Sequence, residues 1–173
     1  MKPKKEGGKR PPDKSKHLLQ QLAQTPDKLF GGMFRSQFGA VCFRYKDGGE
    51  EFEILVITSR ESGRWIIPKG WPIKGKKPHE VAAIEAWEEA GVRGTVRKRT
   101  IGRYTYLKDL DDANVAPCIV EMFQIEVKEV RADFKEQGQR ILNWVTPSEA
   151  ARRVREIELK SLLVHFSPQT KKS

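Results

Sequence analysis

Cysteine is scarce in this chain, and so is histidine. Cys42 and Cys118 stand far apart in apolar, strand-like segments, and the three histidines have no zinc spacing. A disulfide framework and a zinc ribbon are therefore excluded, leaving two buried free thiols as the expectation. Long hydrophobic runs are missing as well. The longest unbroken aliphatic stretch is ILVI at 54–57, far short of a bilayer span. The LLQQLA stretch behind the basic N-terminus is too short and polar for a signal peptide, so the expected address is cytoplasmic, with no membrane partner. There is no internal repeat. G-x-S-x-G is absent too, so serine hydrolysis has no support.

Positive charge is plentiful but unevenly placed. Of the net +10, residues 1–16 supply +5 from seven Lys/Arg and two acids, Lys171 and Lys172 supply +2, and 17–170 keep only +3. The organisation read from this is a basic, disordered tail at 1–16, one domain at 17–167, and a short basic tail at 168–173. A basic tail attracts RNA, DNA or anionic lipid. A solvated tail that aids solubility is the favoured reading, with RNA second and no obligate protein partner.

Patterning within the domain is α+β. SKHLLQQLAQ suits a short helix. QFGAVCFRY and EFEILVITS read as strands joined across an Asp-Gly-Gly turn, and RWIIP as a short buried strand. Glycine and proline crowd residues 68–78, which must be a loop. HEVAAIEAWEEA is a helix with Pro78 in its first turn and Gly91 at its end. A long strand region near 95–106, a polar loop KDLDDAN, and the strands PCIVEMFQIEV and ILNWVT follow. Thr146-Pro147-Ser148-Glu149 opens a last helix, SEAARRVRE. Strands, a central helix, more strands and a final helix predict a sandwich around a mixed sheet.

The central helix carries the chemistry. Glu85, Glu88 and Glu89 fall within an arc of about 100° on one face, while Ala83, Ala86, Trp87 and Ala90 lie opposite. Like charges so placed are mildly unfavourable on a bare helix. They become useful when they share a hard divalent cation that also neutralises phosphate oxygens, with a carboxylate left to remove a proton. A solvated acidic face is the ordinary alternative. The loop in front, Lys69-Gly70-Trp71, argues for metal, because Gly70 lets backbone and cation approach closely.

From Gly70 to Val92 the segment resembles the Nudix family signature, G-x5-E-x7-R-E-U-x-E-E-x-G-U, where U is a bulky aliphatic residue. Gly70, Glu85, Glu88, Glu89, Gly91 and Val92 match in register. Lys76 stands in place of the first glutamate, Ile84 in place of the arginine, and Ala86 is smaller than usual. AVCFR, ILVITSR, GRWIIPKGW and the Trp144 strand extend the resemblance over roughly 34–154, toward the diphosphoinositol and diadenosine polyphosphate branch.

The resemblance implies a Nudix fold, an α/β/α sandwich around a mixed sheet, and Mg²⁺-dependent cleavage of a phosphoanhydride in a small polyphosphate-linked substrate, with Mn²⁺ as a possible substitute. It implies Glu85 and Glu89, with Gly70, as metal ligands and Glu88 as proton acceptor. Glu136 and Glu121 are weaker candidates for an additional carboxylate. It places Arg35, Arg60 and Arg140 on substrate phosphates, a task suited to planar guanidinium donors. Lys69, Lys74, Lys76 and Lys77 extend the positive field. The family arginine that orients the glutamates is missing at Ile84, so orientation falls to another residue. Tyr104 and Tyr106 read as one face of a strand ahead of a base-stacking pair.

Three other readings stand beside this one. Gly70-x4-Gly75-Lys76 mimics a P-loop, but Lys77 occupies the required Ser/Thr position. A Nudix-fold regulatory protein with weak catalysis is suggested by Lys76 and Ile84. An RNA-end hydrolase or binder is suggested by the basic tail. Fold by itself decides none of them.

Overall fold

A computed structural model describes residues 34–111 and 114–169. The expected helix at SKHLLQQLAQ and the tail at 1–16 lie outside these residues. The core strand is β1 (Arg35–Tyr45), whose inner residues 40–43 are all buried. Side chains alternate across a strand, and here Val41 and Phe43 enter one core while Ala40 and Cys42 enter the other. A strand with both faces covered needs this near-continuous apolar run.

β1 pairs in parallel with β7 (Asn114–Val130) along one edge. Its other edge is divided. Phe43 to Tyr45 pair antiparallel with β2 (Phe52–Thr58), whereas Phe38 and Gly39 pair with the two-residue β4 (Lys69–Gly70). β2 in turn carries β3 (Trp65–Ile66) and, along its opposite edge, β8 (Leu142–Val145). The far edge of β7 is shared by β5 (Val92–Val96) and β6 (Gly102–Asp111). The result is one mixed sheet of eight strands.

Helices cover both faces, as expected of a sandwich. Val81, Ala82, Ala86 and Ala90 of α1 (Pro78–Ala90) are buried. The last three of them join the core that holds Ala40, Cys42, Leu55, Phe123 and Ile125. α2 (Pro147–Arg153) and α3 (Ile157–Val164) close the other face with Ala150, Ala151, Leu159 and Leu163 against Val41, Val56 and Met122. Both cysteines are free and buried. Among the described residues no helix is long and apolar enough to cross a membrane.

Three expectations need correction. The region near 95–106 is two strands, β5 and β6, broken at residues 97–101. KDLDDAN is not a loop: β6 runs on to Asp111 and Asp111 pairs with Asn114, so the strands form a long hairpin. Its polar residues lie on an extension of the strand pair, where the exposed Leu107 and Leu110 do not fall on a period of two, so no alternation marks the strand. The C-terminal region holds two helices, because the α2 turn ends at Val154 and the chain restarts at Glu156. Beyond α3, Gln169 still exchanges hydrogen bonds with Gln124 of β7 at 3.1 and 2.9 Å.

Both ends of α1 form as the sequence expects. Lys77 N–H donates to the Glu80 carboxylate at 2.8 Å ahead of Pro78, and Gly91 closes the helix with φ 65°. A side chain at Gly91 would also stand 2.5 Å from the Arg131 carbonyl. Gly91→Ala is therefore expected to lower unfolding free energy by roughly 1–3 kcal/mol in urea titration. A loss below about 0.5 kcal/mol would show that residues 131–134 simply move away.

Candidate active site

The short strand β4 and the glutamate face of α1 make the site. Beside the short β1–β4 pairing, a cavity of about 300 Å³ is lined by Gln37 of β1, Lys69 and Gly70 of β4, Glu85 and Glu89 of α1, and Arg60, Tyr106 and Lys108. α1 lies against β4, so its glutamate face meets the glycine there.

Gly70 is required by contact. A Cβ built on it would fall on the Glu85 carboxyl group, so only glycine lets this carboxylate lie against the strand. Among the described residues Glu85 has no hydrogen-bond or ion-pair partner. Its pKa is pushed up to about 7, first by burial and then by Glu89, Glu88 and Glu136.

Glu89 is the opposite case. It is buried, and its Oε2 accepts from the Lys69 amide at 3.0 Å while Oε1 accepts from Arg140 Nη2 at 2.6 Å. Burial raises its pKa, and Arg140, Lys69 and the Lys69 amide draw it back only in part. Arg140 also donates from Nε to Glu136 at 2.7 Å and from Nη1 to the Thr58 carbonyl at 2.9 Å. Its side chain is only 5% exposed and all three nitrogens are engaged. Arg140, expected on substrate phosphates, lines the cavity while its nitrogens are held by Glu89, Glu136 and the Thr58 carbonyl. It answers the question left by Ile84, from a loop remote in sequence.

The other expected residues divide. Lys69 lies where β4 meets the cavity, with its ammonium 5.1 Å from the Tyr106 ring centre. Burial lowers its pKa to about 8; Glu89 opposes this, and Lys108 and Arg64 add to it. Arg60 lines the cavity with its side chain 54% exposed, 3.4 Å from Glu136. Glu88 points elsewhere, pairing with Lys135 at 2.6 Å, and is not among the lining residues. Arg35 is exposed at the start of β1 and also lies outside the cavity wall. Lys74, Lys76 and Lys77 are exposed in the loop before α1. Glu136 lines the cavity, whereas Glu121 pairs with Arg103 on the β6–β7 hairpin.

Tyr104 is buried in the α2–α3 core and Tyr106 packs against that core, which supports the strand-face reading. The Tyr106 hydroxyl donates to Gln37 at 2.5 Å. Gln37, the Thr58 carbonyl and Lys108 were not read from the sequence. They are single polar residues in strands, with no spacing signal.

The donor set fits a hard divalent cation. Among the described residues no three His, Cys, Asp or Glu side chains stand together as a ready metal cage. Mg²⁺ does not need one, since it keeps waters and uses one or two carboxylates plus substrate phosphates. A partnerless carboxylate crowded by three others, against a glycine that leaves room, is the kind of oxygen such an ion takes.

The comparisons with known proteins agree with this geometry. The model of the NUDIX domain matches residues 33–165. Nudix hydrolase 16, mitochondrial, of Arabidopsis thaliana is 33% identical over 137 residues, 73% of this chain and 76% of its own length. Diphosphoinositol polyphosphate phosphohydrolase 3-beta of Bos taurus is 34% identical over 76 residues, 44% of each chain. The crystal structure of the C. elegans Ap4A hydrolase superposes with a TM-score of 0.54 at 18% identity, covering 76% of this chain and 94% of that one. With the fold, the signature segment and the family model in agreement, the chain belongs to the NUDIX family. It is a Nudix hydrolase with a variant signature.

Three outcomes follow from this geometry and its electrostatics. The folded protein holds a proton on Glu85 up to about pH 7, while the unfolded chain releases it near its ordinary 4.5. Between those values the folded state binds more protons, so stability falls as pH rises. In metal-free protein, Tm should drop by a few degrees from pH 5 to pH 7.5, the effect being moderated by solvent screening. Glu85→Gln should flatten that slope; an unchanged slope would remove Glu85 as its source. Separately, Arg140→Met should cost about 3–5 kcal/mol by leaving buried Glu89 without its cation. Ile84→Arg should leave kcat unchanged, because the orienting role is already filled, and a marked rise would contradict it.

Proposed function

We propose that this chain hydrolyses a phosphoanhydride bond in a small diphosphate- or polyphosphate-linked molecule, of diadenosine polyphosphate or diphosphoinositol polyphosphate type, with Mg²⁺ as cofactor and Mn²⁺ as substitute. The observation that carries it is the Glu85 carboxylate, without a partner among the described residues, lying on Gly70 in a cavity that Lys69 and Arg60 also line. Relatives named as a diphosphoinositol polyphosphate phosphohydrolase and an Ap4A hydrolase support the substrate class.

In this reading Glu85, Glu89 and the Gly70 backbone hold the cation. When bound, Mg²⁺ neutralises phosphate charge and lowers the pKa of a water. Lys69 and Arg60 bind phosphate oxygens, and Arg140 keeps Glu89 facing the cavity. Water attacks one phosphorus, the bridging P–O bond breaks, and two phosphate-bearing products leave. Glu88 is proposed to take the proton of that water, released from Lys135 as substrate binds; Glu136, on the cavity wall, is the competing acceptor. For the protein's address we propose the cytoplasm, to be checked by fractionation, since the plant relatives bear organellar names.

A binding or regulatory protein is the second reading, favoured by the closed Arg140–Glu89 pair and by Lys76 and Ile84 in the signature. A panel of diadenosine polyphosphates, diphosphoinositol phosphates and nucleoside diphosphate derivatives separates the two. Mg²⁺-dependent product release is expected, with Glu89→Gln losing most of it. Glu88→Gln should lower kcat more than Glu136→Gln does. Ligand binding with equal silence of wild type and Glu89→Gln across the panel would favour regulation.

A further inference from the structure

Between Glu89 and Asp109 the chain has six lysines and arginines and no acid. That stretch carries +6 in a domain whose residues 17–170 total only +3, so the remainder is net acidic. Two of the six have other places: Lys108 lines the glutamate cavity, and Arg103 pairs with Glu121. Arg93, Arg97, Lys98 and Arg99 are left. They stand on β5 and the segment joining it to β6, along the edge of β7 away from β1.

The fold gathers these charges and leaves them unanswered. Among the described residues none of the four makes an ion pair, and Arg93, Lys98 and Arg99 are exposed. The β7 glutamates in register with β5, Glu126 and Glu129, are taken by Lys128 and Arg131. Arg93 instead holds its guanidinium carbon 3.6 Å from the Trp87 ring centre. Arg97 donates to the Gln169 carbonyl at 3.1 Å, and Gln169 is itself tied to Gln124 of β7. Lys171 and Lys172 follow in the sequence, and chain reach keeps the Lys171 Cα within about 7 Å of that of Gln169. Two basic segments remote in sequence therefore share this edge.

The side chains narrow the partner. Three of the four are arginines, whose planar donors engage phosphate oxygens in pairs, whereas the cations of residues 1–16 are lysines apart from Arg10. None of the exposed large hydrophobic residues falls within 93–100, so this surface has nothing to insert into a bilayer. Nor does it project a helix or ribbon into a duplex groove. The Arg97 and Ile101 amides and the Thr100 hydroxyl all donate to β7 carbonyls, at 2.8–3.1 Å, and hold the segment along the sheet edge. We propose that β5 and residues 97–100 form a binding surface for the phosphodiester backbone of a single-stranded nucleic acid. It lies apart from the glutamate cavity and uses none of the residues assigned to hydrolysis.

Fluorescence anisotropy tests it, with 5′-hydroxyl oligouridine RNA and oligothymidine DNA of about 15 nucleotides titrated with the full chain in EDTA. Four backbone contacts predict a slope of roughly −3 for log affinity against log salt. Binding of RNA, DNA or both at that slope supports the surface, and the tighter oligomer names the source of the backbone. Lys98 and Arg99 make no side-chain hydrogen bond among the described residues, so Lys98→Glu/Arg99→Glu should fold with Tm unchanged. It should weaken the oligomers about tenfold or more. Lys4→Glu/Lys5→Glu makes the same change of charge in the N-terminal tail and should weaken them by less than about threefold. Equal weakening by the two variants would overturn the surface, since overall charge would then account for binding. So would a wild type that binds neither oligomer. Vesicles of phosphatidylserine and phosphatidylcholine separate a membrane from a nucleic acid: if the patch variant loses vesicles and keeps the oligomers, the proposal fails. Turnover of a diadenosine polyphosphate should be the same in wild type and patch variant, and a matching fall in kcat would place these residues in the hydrolytic site instead.

Discussion

The Arg140 guanidinium holds three parts of the molecule at once. It reaches Glu89 on α1, the Thr58 carbonyl at the end of β2, and Glu136 four residues back in its own loop. The Lys69 amide of β4 closes the group through Glu89. Buried ion pairs of this kind are weak evidence for net stability, because desolvation offsets the attraction. What they supply is position. With both oxygens of Glu89 engaged, its carboxylate has one orientation, and the helix that bears it is fixed relative to the strands.

Glu85 stands one turn earlier on the same helix under the opposite regime. Among the described residues it has no hydrogen-bond or ion-pair partner, is crowded by like charges that Lys135 offsets only in part, and lies against the strand because Gly70 has no side chain. The two glutamates share a helix face and a cavity, yet of the two only Glu89 is paired with a cation among the described residues. This asymmetry separates a built site from a solvated acidic stripe, which would show neither burial nor a glycine cut to its shape.

The variant signature also becomes intelligible. Ile84 removes a cation from within the helix, and Arg140 supplies one from the loop of residues 131–141, which is tied to the helix end by hydrogen bonds from Arg131 to Gly91 and from Glu136 to Glu88.

The sequence by itself determined the sandwich, the α1 boundaries and the glutamate face. These depend on local rules: alternation along β1, 3.6-residue periodicity, Pro78 at the start and Gly91 at the end. The same locality made Gly70 legible, because the signature spans a single loop and helix. Only the tertiary structure decided that Arg140 serves Glu89, that Glu88 turns to Lys135, and that KDLDDAN continues a hairpin. Ion pairs between residues some fifty positions apart leave no spacing to read, and a polar strand without alternation looks like a loop until its partner is in place.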